Sequence, residues 1–170
     1  EVAGHQTTQA RAQLSLAGSE VLLAVASLGA RDSTQRGRWP AAPAVPGPDA
    51  ALDRRSSPAG TQSVLDHYEV RVATGRTGPA LDGTPGPGRS AVWCRLPDGP
   101  REVTAGDVAL VGDMLMLGLA DALGEHVTAN SLDNTVRIVE RARTEWVLLD
   151  VRVDAVERGY AHAGAHLWTE

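Results

Sequence analysis

The strongest constraint on the fold is a nearly continuous apolar run over residues 108–120, in which Asp113 is the only charged side chain. We predict a helix over residues 105–123, ended by Gly124 as its C-cap. A helix that is apolar on nearly all sides must be covered on most of them. The charge in its middle must therefore reach a cleft, because burying it unpaired would be costly. Asp113 is for that reason the first candidate functional residue.

Composition limits the class of protein. The chain has 170 residues, 42% of them hydrophobic and 22% charged, which is ordinary for a soluble globular protein of one domain or parts of two. Its net charge is −5 and its arginines are scattered, which argues against a nucleic-acid partner. All 16 basic residues are arginine, and neither Lys nor Phe occurs, which indicates a GC-rich bacterial genome.

Cysteine content and hydropathy bear on location. The only cysteine, Cys94, excludes an intrachain disulfide and a cysteine-cluster metal site, and predicts a cytoplasmic protein. Cys94 is interpreted as a small core residue rather than a nucleophile. No stretch approaches the roughly 20 apolar residues of a membrane span. The chain starts with Glu1 and stops within an apolar run, so we expect both ends to be cut.

The prolines divide the chain, because all ten lie between Pro40 and Pro100. We predict a head over residues 1–30 that contains a hairpin, an extended Pro/Gly-rich linker over 31–63, and a folded domain over 64–170. In the last domain the helix is accompanied by strands over 65–73, 91–96, 131–141, 146–156 and 160–169. A long helix with an antiparallel meander predicts an α+β domain in which a sheet wraps around the helix.

Several short motifs follow one another through this domain: Trp93-Cys-Arg95, Val111-Gly-Asp113, Ser131-Leu-Asp133, Glu145-Trp-Val-Leu-Leu149, Arg158-Gly-Tyr160 and Leu167-Trp168. In order and spacing they resemble the second half of a double-hotdog protein of the acyl-CoA thioesterase II family. The head resembles the last two strands of that family's first hotdog. The resemblance implies a C-terminally incomplete second hotdog preceded by the end of a truncated first one.

The resemblance also implies a reaction and its residues. Family members hydrolyse acyl-CoA thioesters to free acid and CoA without a covalent intermediate, using a water held by three side chains. By motif position the catalytic Asp is Asp113, on the helix, and the hydroxyl is Ser131, at the start of the next strand. The third member, a Gln, is expected beyond Glu170. No metal or organic cofactor is implied, and acyl-CoA is the expected substrate.

The residue types that the resemblance implies suit the hydrolysis of a thioester by a bound water. A carboxylate can orient a water and accept its proton, while backbone N–H groups at a helix start can stabilise the developing oxyanion. We predict residues 103–106 as that donor region. Basic contacts to the CoA phosphates are expected from Arg137, Arg152 or Arg158, which the sequence does not rank. Hotdog sheets usually associate, so a homo-oligomer is expected.

Two other functions stay open. One is a non-catalytic acyl-CoA-binding or lipid-binding hotdog. The other is an enoyl-CoA hydratase-like protein, because Asp121 and His126 have the spacing that hotdog hydratases use, although a surface turn explains this pair better. Metal binding by His162 and His166 is not expected, since four residues on a strand separate them by about 13 Å.

Two residues near Ser131 receive weaker interpretations. Asp133 is expected to make a structural hydrogen bond where the strand begins. Asn134 stands where many members of the resembling family have His, so its role stays open.

Overall fold

The computed structural model describes residues 2–3, 7–30, 34–54 and 68–170. They divide into two compact units, Glu1–Ala41 and Ala42–Glu170. The strands, in chain order, are β1 Val2–Ala3, β2 Thr7–Leu16, β3 Ser19–Gly29, β4 Leu52–Asp53, β5 Val70–Thr74, β6 Arg89–Arg95, β7 Arg101–Glu102, β8 Arg143–Thr144, β9 Trp146–Glu157 and β10 Tyr160–Thr169. The helices are α1 Ala105–Gly112 and α2 Met116–Leu123.

The first unit is an antiparallel sheet in the order β1-β2-β3. Strands β2 and β3 form the hairpin that the sequence predicts, turning at Ala17 (φ 50°) and Gly18 (φ 83°). Two consecutive positive φ angles give the turn the twist that a two-residue hairpin needs. One face of the hairpin is apolar, with Leu14 opposite Leu22, and both side chains are exposed.

The second unit contains a five-stranded antiparallel sheet in the order β10-β9-β6-β5-β4. Strands β7 and β8 form a separate two-stranded sheet beside it. The predicted strands over 146–156 and 160–169 agree with β9 and β10 to within one residue. The strand predicted over 65–73 lies at Val70–Thr74, and its residues 65–67 are outside the described part of the chain.

The helical segment packs on one face of this sheet, where alternate residues of β5, β6 and β9 supply apolar side chains. The core formed there consists of Val70, Val72, Val92, Cys94, Leu96, Val103, Val111, Met114, Leu117, Val147, Leu149 and Val151. Gly118 allows the closest approach, because a Cβ at that position would lie 2.5 Å from Cγ1 of Val151. No helix in the described ranges has the length and apolar character needed to cross a membrane.

The prediction of one continuous helix over residues 105–123 is wrong in its middle. Helix α1 ends at Gly112, a 3-10 turn occupies Asp113–Leu115, and α2 begins at Met116. Met114 has φ −76° and ψ 16°, outside helical values, which breaks the ladder of hydrogen bonds at this point. Gly124 ends α2 with φ 75°, as predicted.

The opposite face of the sheet is covered by residues that the sequence assigns to a linker. Val45 and Ala51 pack against Trp93 and Trp146, and Trp93 Nε1 donates to the carbonyl oxygen of Pro46 at 2.8 Å. Residues 42–54 therefore belong to the second unit, contrary to the predicted extended linker over 31–63. Residues 31–33 and 55–63 of that linker are outside the described part of the chain.

The strand predicted over residues 131–141 is wrong as well. This segment has neither helix nor strand, and each of its residues is exposed. It contains four β-branched residues, at positions 135, 136, 138 and 139, but a strand needs a partner for its backbone groups, and the segment pairs with no strand among the described residues. Pairing resumes only at β8.

Candidate active site

Asp113 lies at the break between the two helices. Its backbone N–H donates to carbonyls in the last turn of α1, including that of Ala109, and its side chain stands at the first position of the 3-10 turn. Because the break changes the direction of the helix, Val111 and Met114 point into the core while Asp113 is exposed. The local sequence thus sets a carboxylate at a bend on the surface of the domain.

Ser131 reaches Asp113 from the far side of α2. The chain reverses at Gly124, and after seven further residues the Ser131 hydroxyl donates to Oδ1 of Asp113 at 2.7 Å. The two residues proposed from sequence are therefore in direct contact, although 18 positions separate them. Asp133 and Asn134 follow on the same exposed segment, and the expected structural hydrogen bond of Asp133 is not seen among the described residues.

The expectation that Asp113 lies inside a cleft is wrong for this chain. Both Asp113 and Ser131 are exposed. The bend turns residue 113 outward, and Ser131 lies on the exposed segment that follows α2. The buried carboxylate of the helical segment is instead Asp121, which is 1% exposed. The backbone N–H and the Nε of Arg76 each donate to its Oδ1 at 3.0 Å.

This ion pair is the feature that sequence reasoning missed. The sequence predicts a surface turn for Asp121 and His126, yet only His126 is exposed, and no hydrogen bond joins the two within the described chain. The available signal was a second carboxylate one helical turn before the terminal Gly124. Its partner Arg76, 45 residues away, could not be read from local spacing.

The donor region predicted over residues 103–106 is occupied by a capping box. Thr104 Oγ1 accepts from the backbone N–H of Asp107, and the Asp107 carboxylate accepts from the backbone N–H of Thr104. Arg101 adds two hydrogen bonds to Asp107, at 2.6 and 2.7 Å, and this guanidinium together with Thr104 holds the pKa of the Asp107 carboxyl well below its usual value. The region also lies the length of α1, about 12 Å, from Asp113, so it does not serve a carbonyl bound there.

The three arginines considered for CoA phosphates differ in availability. Arg152 donates to Asp154 at 2.6 Å, and Arg158 lies 3.6 Å from Glu157. Arg137 is exposed and forms no ion pair in the described part of the chain. Of the three, Arg137 is the one that lies on the same segment as Ser131 and retains a free charge.

Side chains that could hold a metal or act as a nucleophile are either engaged in other contacts or buried. No cluster of three or more His, Cys, Asp or Glu suited to a metal lies within the described ranges. His162 pairs with Asp154 at 3.3 Å, and His166 stacks against Trp168 with ring centroids 5.8 Å apart. Cys94 is completely buried, and burial raises the pKa of its thiol to about 12. It is a core residue, as predicted.

The class of protein follows from this architecture: an antiparallel sheet with a central helical segment on one face defines the α+β hotdog fold. Residues 40–170 match the family model of the acyl-CoA thioesterase C-terminal domain. The chain therefore belongs to the acyl-CoA thioesterase family, and the family and fold expected from the sequence motifs are confirmed.

Two solved structures resemble the chain. A candidate thioesterase from Novosphingobium aromaticivorans is 32% identical, with a TM-score of 0.81, over 99% of this chain and 63% of that one. A hotdog-fold protein of unknown function from Alicyclobacillus acidocaldarius is 17% identical, with a TM-score of 0.78, over 99% of this chain and 64% of that one. The chain thus spans less than two thirds of either neighbour. A comparison with functionally curated proteins gave no match.

Proposed function

We propose that this chain carries part of an active site that hydrolyses acyl-CoA thioesters, in which Asp113 and Ser131 hold the attacking water. The observation that carries the proposal is the 2.7 Å hydrogen bond between Ser131 Oγ and Asp113 Oδ1. An exposed hydrogen bond of this kind contributes little to stability, so folding alone does not explain why two distant motifs converge. Their convergence in a member of this family supports a chemical role.

The contact leaves the right atoms available for the reaction. Ser131 uses its single hydroxyl proton on Oδ1, and Oδ2 of Asp113 accepts no hydrogen bond from the described residues. A water that is hydrogen-bonded to Ser131 Oγ and to Asp113 Oδ2 donates one proton to Oδ2 and attacks the thioester carbonyl carbon. The C–S bond then breaks, and the proton held by Asp113 passes to the leaving thiolate. The products are the free acid and CoA.

The surroundings of the pair support a covered site in the assembled protein. Leu132 is 81% exposed and Val139 is 92% exposed, on the same segment as Ser131. We propose that a second hotdog surface, from the same protein or from another copy in a homo-oligomer, closes over these side chains. That surface would exclude water from the acyl chain, and the predicted Gln would complete the set of groups around the bound water.

The test uses the full-length protein and measures release of the CoA thiol from acyl-CoA. Asp113→Asn removes the proton acceptor and is expected to lower kcat by about 10²- to 10⁴-fold. Ser131→Ala removes one hydrogen bond to the same carboxylate and is expected to lower kcat by about tenfold.

The matched control is Asp53→Asn. Asp53 is an exposed aspartate on β4, so this variant removes the same charge at a different part of the domain and should keep the parent kcat. Equal activity of Asp113→Asn and the parent would contradict the proposed role of Asp113.

A second candidate is non-catalytic binding of acyl-CoA, which the exposure of Asp113 favours. It predicts that the parent protein binds acyl-CoA without releasing thiol. It also predicts that Asp113→Asn leaves the affinity unchanged, which calorimetry would measure.

A further inference from the structure

The loop between β5 and β6, residues 75–88, closes over the C-terminal end of α2 through Arg76. Besides the two hydrogen bonds from Arg76 to Oδ1 of Asp121, one terminal nitrogen of its guanidinium donates to the carbonyl oxygens of Thr84, at 2.7 Å, and Asp121, at 3.2 Å. The other terminal nitrogen donates to Asp82 at 2.9 Å. One side chain therefore joins the loop to both the side chain and the backbone of the helix end.

The backbone of the same loop also caps α2. The N–H of Gly86 donates to the carbonyls of Asp121 and Ala122, at 3.1 Å each, and that of Gly83 donates to the carbonyl of Gly124 at 2.9 Å. The last carbonyls of a helix need such partners. A Cβ at Gly86 would lie 2.6 Å from the carbonyl oxygen of Asp121, so the approach requires glycine. We refer to Arg76 with Asp121 as the clamp.

The clamp lies where the chain turns back toward the candidate active site. Gly124 reverses the chain, and residues 125–131 return along a helix that is about 12 Å long. Residues 126–130 form no hydrogen bond with the rest of the described chain. Gly124 and Glu125 are therefore the last residues before Ser131 at which hydrogen bonds within the described chain fix the path of this segment.

We propose that Arg76 and Asp121 are positioning residues that hold the end of α2 so that Ser131 meets Asp113. Neither touches Asp113 or Ser131, so they act through the reversal at Gly124. The effect on catalysis rests on the proposed function, whereas the effect on the contact between Asp113 and Ser131 does not.

The clamp depends on the guanidinium of Arg76, because no other cationic group among residues 2–3, 7–30, 34–54 and 68–170 pairs with Asp121. Asp121 is 1% exposed, its Oδ2 has no hydrogen-bond partner among the described residues, and Arg76 is its ion-pair partner. Loss of the guanidinium leaves the buried carboxylate with the backbone N–H of residue 76 as its hydrogen-bond donor and removes its counter-charge. The helix end must then move to hydrate that charge, and the segment that leads to Ser131 moves with it.

A cross-linking experiment measures the position of Ser131 without relying on activity. The full-length protein carries Asp113→Cys with Ser131→Cys, and the rate at which the disulfide forms between these positions is followed by mass spectrometry of the linked peptides. Cys94 does not compete, because its thiol is completely buried. Addition of Arg76→Gln is expected to slow this disulfide about tenfold.

Arg71→Gln is the matched control. Arg71 has a side-chain exposure of 24%, compared with 28% for Arg76, and it also forms an ion pair, with Glu69. It lies over Trp146, on the face of the sheet opposite the helical segment. The control should leave the rate of cross-linking unchanged. Asp121→Asn is a second test of the clamp, and this substitution preserves the volume and shape of the side chain. Like Arg76→Gln, it should lower the rate at which the disulfide forms.

The catalytic consequence is tested by a double-mutant cycle in kcat. In the parent background, Asp121→Asn is expected to lower kcat by about fivefold with little change in KM. In a Ser131→Ala background it should have no further effect, because the group that the clamp positions is gone. A purely structural role would lower kcat by the same factor in both backgrounds.

The outcomes separate the two proposals. Unchanged cross-linking in Arg76→Gln and Asp121→Asn, or equal slowing in Arg71→Gln, would overturn the clamp. Slower cross-linking in the clamp variants alone supports the clamp, even where Asp113→Asn retains full activity and the proposed function is thereby refuted.

Discussion

Helices α1 and α2 have the same length and similar apolar composition, yet they are stabilised in different ways. Only Val111 of α1 is buried, whereas α2 buries Leu117, Gly118, Leu119 and Asp121. Helix α1 is held at its start by the capping box of Thr104 and Asp107, with Arg101 bonded to the Asp107 carboxylate. Helix α2 is held by the core along its length and by the buried Asp121 at its end.

The comparison shows that an apolar sequence does not by itself determine whether a carboxylate in or next to it is buried or exposed. Asp113 lies within the apolar run over residues 108–120 and Asp121 follows it directly, yet Asp113, at the bend after Gly112, is exposed and Asp121 is buried. An exposed carboxylate keeps its contact with water and can act on a substrate. A buried one must be paired, and is therefore committed to structure.

The largest expected difference concerns stability after removal of each carboxylate. Asp121→Ala removes a buried carboxylate that accepts two hydrogen bonds from Arg76, and it should lower the free energy of unfolding by about 3 kcal/mol although Arg76 keeps its ion pair with Asp82. Asp113→Ala, at an exposed position, should change it by no more than about 0.5 kcal/mol. Urea titrations of both variants measure the two values, and equal losses would contradict the contrast.

The glycines of the two helices provide the next test. A Cβ at Gly118 would lie 2.5 Å from Val151, so Gly118→Ala should cost about 2 kcal/mol through overpacking. At Gly112 nothing lies within 4 Å of such a Cβ, so Gly112→Ala should stabilise the domain by about 0.5 kcal/mol through helix propensity. Thermal unfolding compares them, and a loss of stability in both would show that α1 also packs closely.

The smallest effect concerns the capping box of α1 and depends on pH. Arg101 and Thr104 lower the pKa of Asp107 below its ordinary value of 3.8, so the folded state favours the charged form. The stability gained is fully present above that value and is lost as the pH falls through the lower, folded pKa. Asp107→Asn should therefore be less stable than the parent by about 1 kcal/mol at neutral pH, and the difference should shrink in acid.

Unfolding curves at neutral pH and at about pH 3 measure this difference. A gap between parent and variant that widens in acid would contradict the assigned direction of the shift.

Local patterns were sufficient for much of the fold. Alternating residues predicted β9 and β10, the glycine at 124 predicted the end of α2, and motif order predicted the hotdog family. The pair Asp113 and Ser131 was also obtained from motif position, and the structure brings its two members into contact. Each of these predictions needs only the residues of one short segment, or the order of such segments along the chain.

The features that escaped prediction depend on distant partners. The segment over 131–141 has the composition of a strand but no neighbouring strand to pair with in the described chain. Residues 42–54 have the composition of a linker, and their packing against Trp93 and Trp146 is visible only in the folded structure. The ion pair of Arg76 with Asp121 joins positions 45 residues apart. The exposure of Asp113 depends on a backbone bend that apolar periodicity does not report.

The placement of the tryptophans gives the two units separate optical signals. Trp39, in the first unit, is 89% exposed, whereas Trp93 and Trp146 lie in the second unit's sheet, with the guanidinium of Arg71 4.9 Å from the centre of the Trp146 ring. A water-exposed indole emits at longer wavelength than a shielded one, so quenching by a soluble reagent should first remove the red edge of the emission. The fluorescence that remains then reports on the sheet alone, without any added dye.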